Sequence, residues 1–291
     1  MVMDRDNSAM RIFLWAVVMG VGLGIGGGNR AAADLYVATN ATPASPYDAW
    51  SKAYTNLQEA LNAAAPGTTI YVAGHVLGLT QELVWTTADL TLKGGYAATT
   101  DVGLPGARDS SQWPTILQRG STNVHRILYL NGVTNGVLEH FTVTGGRATA
   151  SPNYTPGGGL YIINSTNVRI DACVISNNLT DAPYTGRGAG LAVSSSWVTV
   201  TNSLIADNVV QGQRNDITYY GAGIAAWRGG LEVVDSAIAR NQFSWTGGRV
   251  LYGPGLYLDG GIHRIFNCLI YGQRRASSAP IYGVVTLGAG T

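Results

Sequence analysis

Charge is scarce in this 291-residue chain. Charged residues make up 12% of it, about half the share usual in a soluble domain, and they nearly cancel to a net charge of +1. Such a balance gives no bulk attraction to nucleic acid or to an anionic membrane, so no nucleic-acid partner is expected. Lysine almost vanishes. Beyond residue 33 only Lys52 and Lys93 remain, and every other formal positive charge is arginine, the cation suited to planar recognition of carboxylates. Common catalytic signatures are missing too: there is no His-Glu-x-x-His, no Gly-x-x-x-x-Gly-Lys-Ser/Thr and no Gly-x-Ser-x-Gly. His75, His125, His140 and His263 lack metal-ligand spacing. Neither a cofactor nor a metal is expected.

What is abundant points elsewhere. Hydrophobic residues reach 46%, enough for a sizeable core, and glycine is high at 39 residues, beside many Asn, Thr and Ser. That mixture suits a β-rich solenoid better than a helical enzyme. The N-terminus reads as an export signal. Arg11 precedes an apolar run from Ile12 to Gly28, followed by Asn29, Arg30 and the small residues Ala31-Ala32-Ala33. Residues 1–33 are therefore expected to be a signal peptide cleaved before Asp34, with Met10 as an alternative start. The mature protein would be secreted or displayed at the cell surface.

Internal repetition is the strongest signal. Gly159-Leu160-Tyr161-Ile162, Gly190-Leu191-Ala192-Val193, Gly223-Ile224-Ala225-Ala226 and Gly255-Leu256-Tyr257-Leu258 begin 31, 33 and 32 residues apart. Each is followed by an alternating strand, such as Val168-Arg169-Ile170 or Val198-Thr199-Val200. Each repeat then closes on Ile and a polar residue three later: Ile175 with Asn178, Ile205 with Asn208, Ile238 with Asn241 and Ile270 with Gln273. A single coil of short strands cannot bury its apolar face, but stacked coils can. The expected fold is all-β: a single-stranded right-handed parallel β-helix over residues 68–291.

In that register Asn178, Asn208, Asn241 and Gln273 form an amide ladder. A second polar column contains Asn202, Asp235 and Asn267. Cys173, Ser203, Ser236 and Cys268 share a third, which puts the two cysteines about 14 Å apart at the strand spacing. A disulfide needs Cα atoms within about 7 Å, so two separate thiols are expected.

The ends differ. Residues 34–67 read as an N-terminal cap, with Thr55-Asn56-Leu57-Gln58 as a capping box. Leu57, Ala60, Leu61 and Ala64 lie on one helical face, and Pro66-Gly67 is a stop. The C-terminal sequence Gly288-Ala289-Gly290-Thr291 shows no comparable cover, so either the chain is expected to be truncated there or a further domain or partner is expected over that end.

The helix, Pro-Gly stop and strand resemble the opening of pectate-lyase-like β-helix proteins. Leu92-Lys93-Gly94-Gly95-Tyr96, then Arg108-Asp109 and Pro114-Thr115-Ile116-Leu117, resemble secreted bacterial β-helix proteins. The Gly start with an Ile-x-x-Asn close is similar to repeats of polymorphic outer-membrane proteins and autotransporter passengers, with Ile here where those usually carry Phe. The resemblance spans roughly residues 34–288 and implies the fold. Its activities range over lyases, hydrolases and adhesins, because this fold hosts them all.

Candidate chemistry comes from two places. Glu139 and Asp171 fall at equivalent positions in adjacent coils, a candidate acid pair or calcium site. The loops between coils carry both arginine and aromatic residues: Arg147 and Tyr154; Tyr184 and Arg187; Arg214, Tyr219 and Tyr220; Trp245, Arg249 and Tyr252; Arg274, Arg275 and Tyr282. Stacking brings these loops to one side, with six arginines against two acids, Asp181 and Asp216. The first ten residues, Arg147 to Tyr252, are candidate ligand contacts for an acidic polysaccharide. The same residues would also serve to hold long loops down. The sequence thus supports a non-catalytic, adhesin-like glycan binder first, a polysaccharide lyase or glycosidase second, and a structural stalk third.

Overall fold

The computed structural model describes residues 33–149, 154–183, 185–212, 218–244, 250–275, 281–282 and 285–288. The expected signal segment lies outside them, apart from Ala33. The chain is a parallel β-solenoid, and every coil runs through three faces. The coil from Leu160 is representative: Leu160–Ile163 on the first face, Val168–Asp171 on the second and Val174–Ser176 on the third. Register is kept residue for residue, with Leu128, Leu160 and Leu191 on neighbouring strands and Val143, Ile175 and Ile205 likewise. The third face is a seven-stranded sheet. The first two merge into one sheet, because Ile224–Val234 and Leu256–Phe266 run unbroken across the corner between them.

The corners explain the Gly and Asn content. From Leu128 on, every corner holds a residue at positive φ, which residues other than Gly, Asn and Asp rarely adopt, and the corner between the first and second faces holds a second one in three coils, at Asn135, Asn167 and Gly261. Between first and second faces stand Gly132, Asn164, Ser195, Arg228 and Gly260. Between second and third stand His140, Ala172, Asn202, Asp235 and Asn267; after the third come Gly145, Asn177, Asp207, Arg240 and Gly272. The second polar column is therefore a corner.

Inside, alternating Leu, Ile and Val form one continuous core along the axis. The amide ladder runs beside it. Asn208 Nδ2 donates to Ile175 O and Asn241 Oδ1, and Asn208 Oδ1 accepts from the backbone and side-chain amides of Asn178. Asn178, Asn208 and Asn241 are buried with these bonds made. The repeated glycine belongs to the same device. A Cβ on Gly190 would fall 2.7 Å from Asn208 Nδ2, and one on Gly223 would fall 2.8 Å from Asn241 Nδ2. The Gly start and the Asn close, distant in sequence, are thus one contact.

Cys173 is fully buried and Cys268 partly buried; both are free thiols. The backbone amide of Cys173 donates to Ser203 Oγ and that of Ser203 to Ser236 Oγ, as the shared column requires.

At the N-terminal end the helix Leu57–Ala63 buries Leu57, Ala60 and Leu61 against the core. Its cap differs from the expected box. The N-cap is Asn56, whose Oδ1 accepts from Gln58 N. Gln58 does not reach back: its side chain bonds both the N–H and the C=O of Val84. The exposed strand edge offered a better pair of partners than one helix amide. Parallel pairing also begins earlier than residue 68, since Leu35–Val37 pairs with Thr69–Ala73.

Candidate functional site

The described parts of the segments between coils are mainly strands. They run outward as Arg147–Thr149, Leu179–Ala182, Val209–Gly212, Gln242–Phe243 and Arg274–Arg275, and return as Tyr154–Pro156, Thr185–Arg187, Thr218–Tyr220, Val250–Tyr252 and Ile281–Tyr282. Each set forms a five-stranded parallel sheet. Together they make a flange with its own small core of Ala182, Val210, Tyr219, Phe243 and Leu251. The return strand lies over the first face, where Tyr161, Trp227 and Tyr257 are buried beneath it.

Period-two alternation sorts the predicted ligand residues. Tyr219 points into the flange core at 1% exposure, so it offers no ring to a ligand. Tyr220 points the other way. Arg187, Tyr220 and Tyr252 occupy one register column. The Arg187 guanidinium sits 4.8 Å from the Tyr220 ring centre and 5.0 Å from that of Trp227. Tyr220 and Tyr252 stack at 5.5 Å and 8°. All three column residues are half-buried. Arg147 stands apart from this column and pairs with Asp181. Tyr154 lies in a return strand; its side chain, and all of Tyr184, Arg214, Trp245 and Arg249, lie outside the described residues.

The acid pair is placed as the register required and then closed. Glu139 and Asp171 are partners on adjacent strands. Arg169 bonds Glu139 Oε1 at 2.5 Å and Asp171 Oδ2 at 2.6 Å, while Arg108 reaches Glu139 Oε2 at 3.3 Å. Thr201 Oγ1 and Asn202 Nδ2 donate to Asp171 Oδ1. Partial burial would raise the Asp171 carboxyl, but these donors from Asn202, Thr201 and Arg169 outweigh it and hold it below the usual range. With two guanidinium groups on two carboxylates, the pair is an ion network rather than a calcium cradle or an acid–base couple. Beside it, His140 Nδ1 and Ser110 Oγ are 3.0 Å apart. Burial, reinforced by Arg108, lowers the His140 pKa, so the ring is neutral near pH 7.

One exposed residue escaped the sequence reading. Trp197 opens the strand Trp197–Thr201 on the second face and is 49% exposed. Its register partner one coil on is Gly230. Only that pairing, read across 33 residues of sequence, marks it out.

Compared with protein-family models, curated proteins and solved structures, the chain matches none.

Proposed function

We propose that the protein is an exported, non-catalytic surface solenoid that binds acidic glycans along its flange. The axial column Arg187–Tyr220–Tyr252 carries this reading. Its members repeat at the strand spacing of about 4.8 Å and keep part of their surface in solvent. A guanidinium in line with aromatic rings offers hydrogen bonds to a carboxylate and a flat surface to a sugar ring. The closed ion network at Glu139 and Asp171 favours binding over chemistry.

The test is binding of the purified protein to polygalacturonate. Wild type should bind without releasing shorter sugars, and Arg187→Ala and Tyr220→Ala should each weaken binding about tenfold. Equal binding by both variants would remove the flange as the site. Release of shorter sugars would replace the binder with an enzyme.

A stalk is the second reading, favoured by the burial of Tyr219, Trp227 and Tyr257, which locks the flange onto the solenoid. It becomes the better account if folded protein binds no glycan at all.

A further inference from the structure

We infer that the second face carries a separate site for uncharged glycans, centred on Trp197. In their ligand-contacting residues the two sites share nothing, so neither proposal depends on the other.

The indole lies across the neighbouring strand. A Cβ built on Gly230 would fall 2.2 Å from Trp197 Cε3 and 2.4 Å from Cζ3. The benzo ring therefore occupies the space that any other residue at 230 would need. One ring face rests on backbone, and the side chain is still 49% exposed. A rigid aromatic surface of this kind is costly to leave in water unless something covers it. Ile262, the next residue in the same column, is 57% exposed and extends the apolar strip along the axis.

The surroundings select the occupant. Trp197 and Ile262 line a depression of about 340 Å³ with Asn167, Thr199, Glu232 and Arg264. Thr199, Glu232 and Arg264 are successive register partners. They place a hydroxyl, a carboxylate and a guanidinium in a row beside the ring. A pyranose presents a face of C–H groups and a rim of hydroxyls, which matches an aromatic floor with a polar edge. One acid and one base leave the row without net charge, so it offers no net attraction to anionic sugars. At about 340 Å³ the depression has room for one or two sugar rings.

The experiment is calorimetric titration of the purified protein with hexasaccharides of glucose, galactose, mannose and N-acetylglucosamine, with polygalacturonate alongside. At least one uncharged hexasaccharide should bind. Trp197→Ala should weaken it tenfold or more while leaving polygalacturonate binding and the melting temperature unchanged. Gly230→Ala keeps the indole but displaces it, and should also weaken uncharged ligands. The inference is overturned if no uncharged hexasaccharide binds, if Trp197→Ala binds them as wild type does, or if sedimentation shows a dimer that Trp197→Ala abolishes. Loss of polygalacturonate binding in Arg187→Ala alone, with uncharged sugars unaffected, would keep the flange and this site apart.

Discussion

Two columns of like residues run along this solenoid, and they differ in what they leave unfinished. The Asn178–Asn208–Asn241 ladder is buried, with its side-chain donors and acceptors used within the chain. The Arg187–Tyr220–Tyr252 column is only partly buried and keeps some surface in solvent. Both repeat once per coil, so repetition does not distinguish them. Burial and saturation do. A saturated polar column specifies register and core; a partly buried column of rings and a guanidinium leaves groups at the surface.

Breaking the ladder should produce the largest effect. Asn208→Ala strips bonds from Asn178 N, Asn178 Nδ2, Ile175 O and Asn241 Oδ1. Buried groups left unpaired cost about 1–3 kcal/mol each, so a loss of about 3–5 kcal/mol is expected after partial rehydration. Urea unfolding would measure it; a loss under 1 kcal/mol would mean the ladder is ornamental. Gly190→Ala attacks the same contact from the other side, pushing a methyl towards Asn208 Nδ2 and Gly223 O. Overpacking of this kind costs about 1–3 kcal/mol. The two substitutions act on one contact, so the double variant should lose less than the sum.

The ion network on the second face should respond to acid. The Asp171 carboxyl is depressed in the folded protein, so its contribution is present above the unfolded value of about 3.9 and fades as pH falls through and below it. Asp171→Asn should flatten that part of the stability curve below about pH 4 while lowering stability at pH 7 by about 1 kcal/mol. A curve of unchanged slope would count against the network. On the flange, Arg187→Ala should cost only about 1 kcal/mol of stability, the scale of cation–π contacts, so its effect on binding stays readable in folded protein. Smallest of all is the effect of thiol modification. Burial pushes the Cys173 thiol up to about 12, so an alkylating reagent at pH 8 should label Cys268 and leave Cys173 untouched until the protein is unfolded.

The repeat was legible because each coil spells the same requirements. Leu160, Leu191, Ile224 and Leu256 face the core, glycine recurs before them, and Asn closes the turn; a shift of one residue would have exposed every core side chain. Cys173 and Cys268 could be separated by counting coils alone. The flange was harder to read. Its core uses Ala182, Val210, Phe243, Tyr219 and Leu251, residues of unequal size in segments of unequal length, so no shared pattern announces a strand. Period two then decided, after the fact, that Tyr219 turns inward and Tyr220 outward. The Glu139–Asp171 neighbourhood was correctly placed, but Arg108 arrives from the 97–114 insertion, which the repeat does not encode. Gln58 likewise chose Val84, a partner known only once the strand edge is in place. Trp197 illustrates the remaining gap: its exposure depends on a glycine 33 positions away, and a lone tryptophan on a strand says nothing of that.

The corner columns have a consequence for how such a molecule can change in length. Because the corner between the second and third faces holds one positive-φ residue in each coil, as at Ala172, Asn202 and Asp235, and the corner after the third does likewise, as at Asn177, Asp207 and Arg240, one coil ends where the next begins in equivalent geometry. Leu191 and Ile224 are register partners, so excision of residues 191–223 is expected to rejoin Gly190 to Ile224 with strands, corners and ladder still aligned. The coil is then a unit of currency-free exchange between longer and shorter rods: the protein can be lengthened or shortened in steps of about 4.8 Å without redesigning what remains.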